Sequence, residues 1–325
     1  MYANPEMEQC AKTRLKELQL ERLKRQLRWA QEKSVFYRER FARANVSYEA
    51  VETLSDLRKI PFLERDALWQ ENRLDFLTIP FSGLLRYGVM HEESREFAAF
   101  YTNGDIAHNV EMMTRALVAA GVHRASVVAL FGDLADSRLL DIHYALEVLG
   151  ATVIPMGTDY RQWLSRMDQV RADTFVAPRP LLMRLIIHLQ AAGMDIAEYA
   201  CARVLCLNTD AIQNPMQHHI EGRTKIPVYN LYAPMELGMA GLLYACETRA
   251  GQHIQEDYFY PEIIAFGRDA PVTDKNQMGE LVVTSLAAEA MPLIRYRTGQ
   301  AVSLADEPCR CGRTLRCIRT PFAAG

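Results

Sequence analysis

Between residues 105 and 208 the chain alternates repeatedly between short apolar runs and stretches with helical spacing, and few folds tolerate that pattern. SVVALFG (126–132), ATVIPMG (151–157), TFVA (174–177) and RVLCLN (203–208) are almost continuously apolar, as strands buried on both faces are. The helical stretches include one from Ile106 to Ala120, apolar at Met112, Met113, Leu117 and Val118, which closes at Gly121. Another runs to Gly150, a third follows Tyr160, and a fourth ends at Gly193. Strand–helix alternation of this kind predicts a parallel sheet covered by helices, an α/β fold. After about Pro227 the texture changes to short strands with turn signals: PVYNLYA, LLYAC, PEIIAF, GELVVTSL and PLIRYRTG. They predict a smaller mixed or antiparallel sheet, or a small barrel, joined to the first layer. Ahead of both, residues 7–40 read as a charged helix with an apolar stripe at Leu15, Leu18, Leu23 and Leu27. The expected organisation is an N-terminal segment (1–100) packed on the main body, a parallel-sheet subdomain (101–226) and a β-rich subdomain (227–325).

Bulk properties remove several partners. A net charge of −3 over 325 residues gives no electrostatic reason to expect nucleic acid or an anionic membrane. The apolar runs fall short of the ~20 residues of a membrane helix. The opening MYANPEMEQCAK has no apolar core of a signal peptide. Seven cysteines, an odd number, argue against a disulfide framework and for a reducing compartment, with the cytoplasm as the expected location.

Three clusters carry the chemistry. Cys246 and His253 in CETRAGQH, with Cys309 and Cys311 in PCRCGRT, amount to a tetrahedral zinc set, closed and therefore structural. Their spacing is not that of a zinc finger, and ordinary buried thiols beside a surface histidine explain it too. Cys10, Cys201, Cys206 and Cys317 read as small core or surface residues. Carboxylates form the second cluster: Glu236 in YAPMELG, and Glu256, Asp257 and Glu262 in QEDYFYPE. They either hold Mg²⁺ through water or are solvated loop side chains. In PLIRYRTGQ, Arg295 and Arg297 fall on one side of a strand and either bind a carboxylate or phosphate or bridge to acidic neighbours. His143, beside Tyr144 in DIHYALE, is the best acid/base candidate by residue type.

LRKIPFLERDALW, YTNGDI, HYALEVLGATVIPMG, YAPMELG, CETRAGQHIQEDYFYPEII, GELVVTSLAAEAMPLIRYRTG and CRCGRT, in this order, resemble the phenylacetate–CoA ligase family of adenylate-forming enzymes. The resemblance covers nearly the whole chain and implies that family's α/β N-terminal fold. It implies that Tyr232 lies beside the adenine and Glu236 on Mg²⁺. Asn208, Thr209, Asp210 and Ala211 take the place of the family's "GAEP" next to the adenine, and Gln300 takes that of the ribose-gripping aspartate after Arg297. Some relatives bind zinc through the Cys/His/Cys/Cys set, which implies a structural zinc for Cys246, His253, Cys309 and Cys311. CoA is a further expected ligand, and the resemblance allows a homodimer.

The same resemblance exposes departures. Where the family has a Gly/Ser/Thr-rich phosphate loop between two strands, this chain reads MHEESREFA. Two short strands, ending near Val89 and starting near Phe97, are expected to flank a charged turn with no glycine or lysine. Glu92 and Glu93 there would repel a triphosphate by several kcal/mol at ~4 Å in an intermediate dielectric. Gln300 lacks the aspartate's charge, and the family's mobile C-terminal domain is expected to be absent. ATP, AMP and Mg²⁺ are thereby placed in doubt. The expected function is that of an altered enzyme acting on an aryl or small carboxylic acid, its acyl-adenylate or its thioester, in a specialised biosynthetic pathway. The alternatives are a non-catalytic pseudo-ligase that binds an aromatic acid or a partner protein, and a ligase whose C-terminal half comes from another chain.

Overall fold

A computed structural model of the protein describes residues 1–92, 95–194, 196–199, 201–208, 220–222, 225–272, 274, 277–305 and 307–320. The N-terminal part holds α1 (Pro5–Glu8), α2 (Lys12–Lys33), α3 (Val35–Arg43) and α4 (Arg65–Gln70), then the hairpin β1 (Arg86–Glu92) and β2 (Arg95–Tyr101). The alternating region follows as α5 (Asn103–Ala119), β3 (Val127–Phe131), α6 (Ser137–Leu149), β4 (Thr152–Gly157), α7 (Tyr160–Gln169), β5 (Thr174–Pro178), α8 (Arg179–Ala191) and β6 (Arg203–Asn208). The remaining strands are β7 (Val228–Tyr232), β8 (Leu243–Ala245), β9 (Gln252–Ile254), β10 (Phe259–Ile264), β11 (Gly279–Ser285), β12 (Tyr296–Leu304) and β13 (Cys317–Arg319).

Eleven strands share one sheet in the order β10-β11-β12-β13-β9-β8-β7-β6-β5-β3-β4. Its β4-β3-β5-β6-β7 end is parallel, and every other ladder is antiparallel. The change of direction falls between β7 and β8, one strand later than the change of texture at Pro227. The β-rich part therefore continues the first sheet. Apolar strands demand cover on both faces. One face packs on α5 and α6 through residues such as Leu117, Val128, Leu130, Ile142 and Leu146, and the other on α7 and α8 through Trp163, Phe175, Leu185 and Leu189. Burying a side chain of that size contributes roughly 1.5–3 kcal/mol. No helix among the described residues is long and apolar enough to cross a membrane.

The N-terminal helix is two, broken at Ser34, whose hydroxyl accepts from Tyr37 N at 3.3 Å and donates to Asp75 O at 2.7 Å. Leu23, Leu27, Tyr37 and Phe41 join a single core with Ile263, Leu281, Val283 and Tyr296 of the β-rich part. Two features position the site. First, α5 opens with a capping box, Asp105 N donating to Thr102 Oγ1 and Thr102 N to the Asp105 carboxylate, both at 3.0 Å. The same carboxylate accepts from Glu289 N (2.7 Å) and Ala290 N (3.0 Å), tying α5 to the β11–β12 connection. Second, Leu63 lies along the start of β12, with Leu63 N donating to Arg295 O and Arg297 N to Leu63 O. That contact delivers α4 to the end of the parallel strands.

Candidate functional site

Open parallel sheets bind ligands beyond the carboxyl ends of their strands, and here β6 and β7 end side by side at Asn208 and Tyr232. Both residues are buried. After Tyr232 the chain makes a short turn, Met235–Leu237, closed by Gly238 at φ +66°. A Cβ on Gly238 would stand 2.4 Å from the Tyr101 hydroxyl, which donates to Gly238 O at 2.5 Å. The turn aims Glu236 inward, its side chain wholly buried. Glu236 Oε1 accepts from Arg65 Nε at 2.6 Å and from Trp69 Nε1 at 2.9 Å. Arg65 and Trp69 stand four apart on α4, hence on one face. Oε2 makes no hydrogen bond among the described residues. Burial first, and then the Glu236 charge, hold the Tyr296 phenol far above its ordinary pKa.

Glu236 lines a cavity of about 60 Å³ with Asp105, His108, Asn109 and Met112 of α5. Tyr258, Ala287, Ala288 and Met291 are also among its lining residues. Helical spacing in the sequence could have shown that residues 105, 108, 109 and 112 share a face, but not that this face borders a cavity. Arg65 and Trp69 gave no signal, because their role depends on where α4 is laid.

His143 and Tyr144 line no part of that cavity. His143 Nδ1 is 3.7 Å from Glu147 Oε2, with no hydrogen-bond partner among the described residues. Tyr144 is partly exposed on α6 and lies under Arg86, 5.7 Å from its ring. The acid/base reading of His143 thus finds no support in its position. Thr209, Asp210 and Ala211 lie outside the described residues, as does Glu93. Gln300 is half-buried in β12.

The acidic and arginine clusters resolve each other. Asp257 takes a bidentate pair from Arg115 Nη1 at 2.9 and 3.0 Å, Glu256 pairs with Arg316 Nε at 2.6 Å, and Glu262 receives Arg295 at 3.0 and 3.1 Å. These carboxylates are neither solvated nor set out for Mg²⁺; each is a buried counter-ion. Arg295 also donates to Ile60 O at 2.6 Å and covers Phe62, while Arg297 pairs with Glu280 and Glu64. Of the two readings of these arginines, bridging to acidic neighbours is the one observed.

The phosphate-loop position is a hairpin longer than expected. Its ladder runs from Arg86↔Tyr101 to Glu92↔Arg95, leaving only residues 93 and 94 between the strands. Buried ion pairs hold it against α6. Arg86 Nη1 donates to Asp141 Oδ1 at 2.5 Å, and Asn109 Nδ2 to Oδ2 at 2.9 Å. Arg138 grips Asp136 and donates to His91 O at 2.9 Å. The strand lies so close that a Cβ on Gly88 would stand 2.1 Å from Ser137 Oγ.

At the far side of β9, the ligating atoms of Cys246, His253, Cys309 and Cys311 all lie within 4.8 Å of one another. Cys246 Sγ is 3.6 Å from Cys309 Sγ, and Cys311 Sγ is 3.3 Å from His253 Nε2. A zinc tetrahedron with ~2.3 Å Zn–S bonds has S–S edges of about 3.8 Å, so the donor set fits. His253 Nδ1 lies 3.1 Å from Leu315 O, the outer hydrogen bond that leaves Nε2 for a metal. Burial alone would lower the imidazole, but contact with Cys309 and Cys311 outweighs it and holds the pKa up at about 9. The N-terminus clamps this corner. Arg313 Nε donates to Glu8 Oε1 at 2.7 Å with both side chains fully buried, and the Tyr2 hydroxyl donates to Cys311 O at 2.7 Å.

Comparison with known proteins places this geometry. The phenylacetate–coenzyme A ligase of Escherichia coli (strain K12) is 31% identical over 310 residues, 93% of this chain and 70% of that protein. The chain belongs to the phenylacetate–CoA ligase family. The Thermus thermophilus phenylacetate–coenzyme A ligase is 29% identical over 324 residues, 97% of this chain and 71% of the relative. No protein-family model matches the chain. Among solved structures, 2-hydroxyisobutyryl-CoA ligase in an open conformation, in complex with 2-HIB-AMP and CoA, superposes with a TM-score of 0.86 at 17% identity. That match covers 97% of this chain and 75% of the ligase, and it establishes the fold of this family member as that of an acyl-CoA ligase. A benzoate CoA ligase from Burkholderia xenovorans LB400 superposes at 0.53 over 73% of this chain and 48% of its own.

Proposed function

We propose that this family member binds a small carboxylic acid, or that acid's adenylate or thioester, in the cavity beside Glu236, and does so without ordinary ATP-dependent adenylation. The ligand class follows from relatives named for joining phenylacetate to coenzyme A and from the fold neighbour that holds 2-HIB-AMP and CoA. CoA is the expected acyl partner, and a specialised biosynthetic pathway the expected setting. The corner of Cys246, His253, Cys309 and Cys311 would hold a structural Zn²⁺, bracing β9 against the 309–317 loop.

One observation carries the reading on ATP. The position of a phosphate-cradling loop is occupied by a hairpin pinned through Asp141 and Asp136. Cradling phosphate requires successive backbone N–H groups turned toward one point, whereas in a two-stranded ladder alternate N–H groups pair with the opposite strand and those between them face the other way. Pyrophosphate exchange against a panel of acids tests this, with no acid-dependent exchange expected; exchange above background would refute it. Thermal-shift screening should show stabilisation by small acids and not by ATP.

A non-catalytic role draws support from a separate observation: Glu236 is engaged by Arg65 and Trp69, and His143 lies outside the cavity, with Nδ1 making no hydrogen bond among the described residues. Turnover of a pre-formed acyl-adenylate to CoA thioester would distinguish a working pocket from a sensing one.

A further inference from the structure

Glu236 does not fit the Mg²⁺ that the family resemblance assigns to it, and the misfit has a definite form. Mg²⁺ keeps near-octahedral oxygen ligands at 2.0–2.1 Å and retains several waters. The Glu236 side chain is fully buried, and its Oε1 already accepts from Arg65 at 2.6 Å and Trp69 at 2.9 Å. A cation on that oxygen would sit against the guanidinium, and one on Oε2, which makes no hydrogen bond among the described residues, would still face the Arg65 charge across the same carboxylate. A second arginine reinforces the first: Arg73 stacks over Trp69 and Phe97, 5.3 and 4.3 Å from their ring centres. Burial lowers its pKa, partly offset by Tyr87 and then by Glu236. The backbone supports the same arrangement, because Leu63 is hydrogen-bonded along the start of β12 and presents Arg65 and Trp69 at adjacent turns of α4.

We infer that Arg65 is the resident counter-charge of this pocket: seated on Glu236 with Trp69, it excludes a divalent cation, so that ligands engage the pocket without Mg²⁺. The inference rests on reading Glu236 as the acid of the ligand pocket, but not on whether ATP binds. Arg65 is a positioning residue here, acting through the carboxylate it holds.

Mn²⁺, read by its electron paramagnetic resonance signal, is the probe. The purified full chain, with its proposed structural zinc retained and loosely held divalent ions removed by dialysis without chelator, is titrated with Mn²⁺ alone and with Mn²⁺ plus ATP. Wild type is expected to leave the Mn²⁺ signal as it is in protein-free controls, that of the free ion without ATP and that of the Mn²⁺–ATP complex with it. Arg65→Met, which removes the charge and retains bulk, should gain affinity for Mn²⁺ on the order of tenfold or more once the like charge is gone. Adding Glu236→Gln should abolish that gain, and Arg65→Lys should restore exclusion, since charge and not shape does the work. Intrinsic fluorescence and a thermal melt establish that each variant is folded. Mn²⁺ bound by wild type and lost in Glu236→Gln would overturn the inference, as would a folded Arg65→Met protein that leaves Mn²⁺ as free as wild type does. Neither result bears on pyrophosphate exchange, so failure here and failure of the proposed function are read separately.

Discussion

The cysteine corner and the face beyond β6 and β7 belong to one sheet but differ in how their polar groups are held. At the corner, all four donors lie within 4.8 Å of one another, with an outer hydrogen bond on the imidazole. At the face, strands, turn and cavity are in place, yet the groups on them are occupied by other protein groups: Glu236 by Arg65 and Trp69, the hairpin by Asp136 and Asp141. The difference follows from how each chemistry is distributed. A closed metal site loses its ion when a donor is lost, so it survives whole or not at all. A nucleotide site is assembled from many weak contacts on a packed frame, so the frame by itself does not report whether the contacts are there.

The largest expected effect tests the intact side of that comparison. Cys309→Ser with Cys311→Ser should abolish bound zinc, measured by metal analysis. It should also lower the melting temperature by roughly 10 °C, because metal binding is folding free energy. Zinc that persists in the double variant, or none in wild type, removes the metal and with it the contrast.

Next is the clamp on the corner. Removing one partner of a fully buried ion pair costs about 3–5 kcal/mol, so Glu8→Gln should destabilise the protein by that order in urea titrations. Glu8→Leu with Arg313→Met should recover most of the loss. If Glu8→Gln also releases zinc, the corner owes its geometry to the N-terminal clamp as much as to the ion. A cost below 1 kcal/mol would mean the pair is not the closure it looks like.

The legibility of the two regions differs for the same reason. The strand–helix alternation was readable because periodicity is local, and Gly121, Gly150 and Gly193 do sit at positive φ where helices end. The four metal donors were recognisable as residue types and meet as expected. Arg295, Arg297, Glu256, Asp257 and Glu262 were visible as charges, but not as pairs: Arg295 meets Glu262 across 33 residues and Arg115 meets Asp257 across 142. Pairing at that range is set by tertiary placement, which residue spacing does not encode. Arg65 was missed on the same account, since only the packing of α4 brings it to Glu236. His143 was over-read, because a histidine in a helix carries its chemistry in its type but its role in its surroundings.

On the altered side, the hairpin offers a smaller effect. A methyl at Gly88 has nowhere to go, with Ser137 Oγ at 2.1 Å and Tyr101 Cε2 at 2.5 Å from the ideal Cβ. Gly88→Ala should cost about 1–3 kcal/mol through overpacking, and amide exchange should rise along β1 and β2 specifically. Unchanged exchange there would show that the hairpin is not held by its contact with α6, and would leave it free to adopt the curled form that phosphate binding needs.

The smallest effect lies between the two regions, in the network that joins the N-terminus to the cavity wall. Glu111 accepts from Asn4 Nδ2 at 2.8 Å, from the Tyr258 hydroxyl and from Arg115. Burial pushes its pKa up, but those partners outweigh it and hold it down at about 2. A depressed carboxylate stabilises the fold fully above its ordinary pKa of roughly 4.3 and loses that contribution as pH falls through the folded value. Wild type should therefore exceed Glu111→Gln in stability at pH 6, with the gap narrowing from pH ~4.5 toward pH 2. The side chain is 38% exposed, so solvent screening keeps the gap near or below about 1 kcal/mol. Asp105, Asp141 and Asp257, all raised mainly by burial, titrate in the opposite sense, so only the difference between the two proteins isolates Glu111. A gap that stays constant or widens at pH 3 would mean that the N-terminus and cavity wall are coupled by packing and not by this charge.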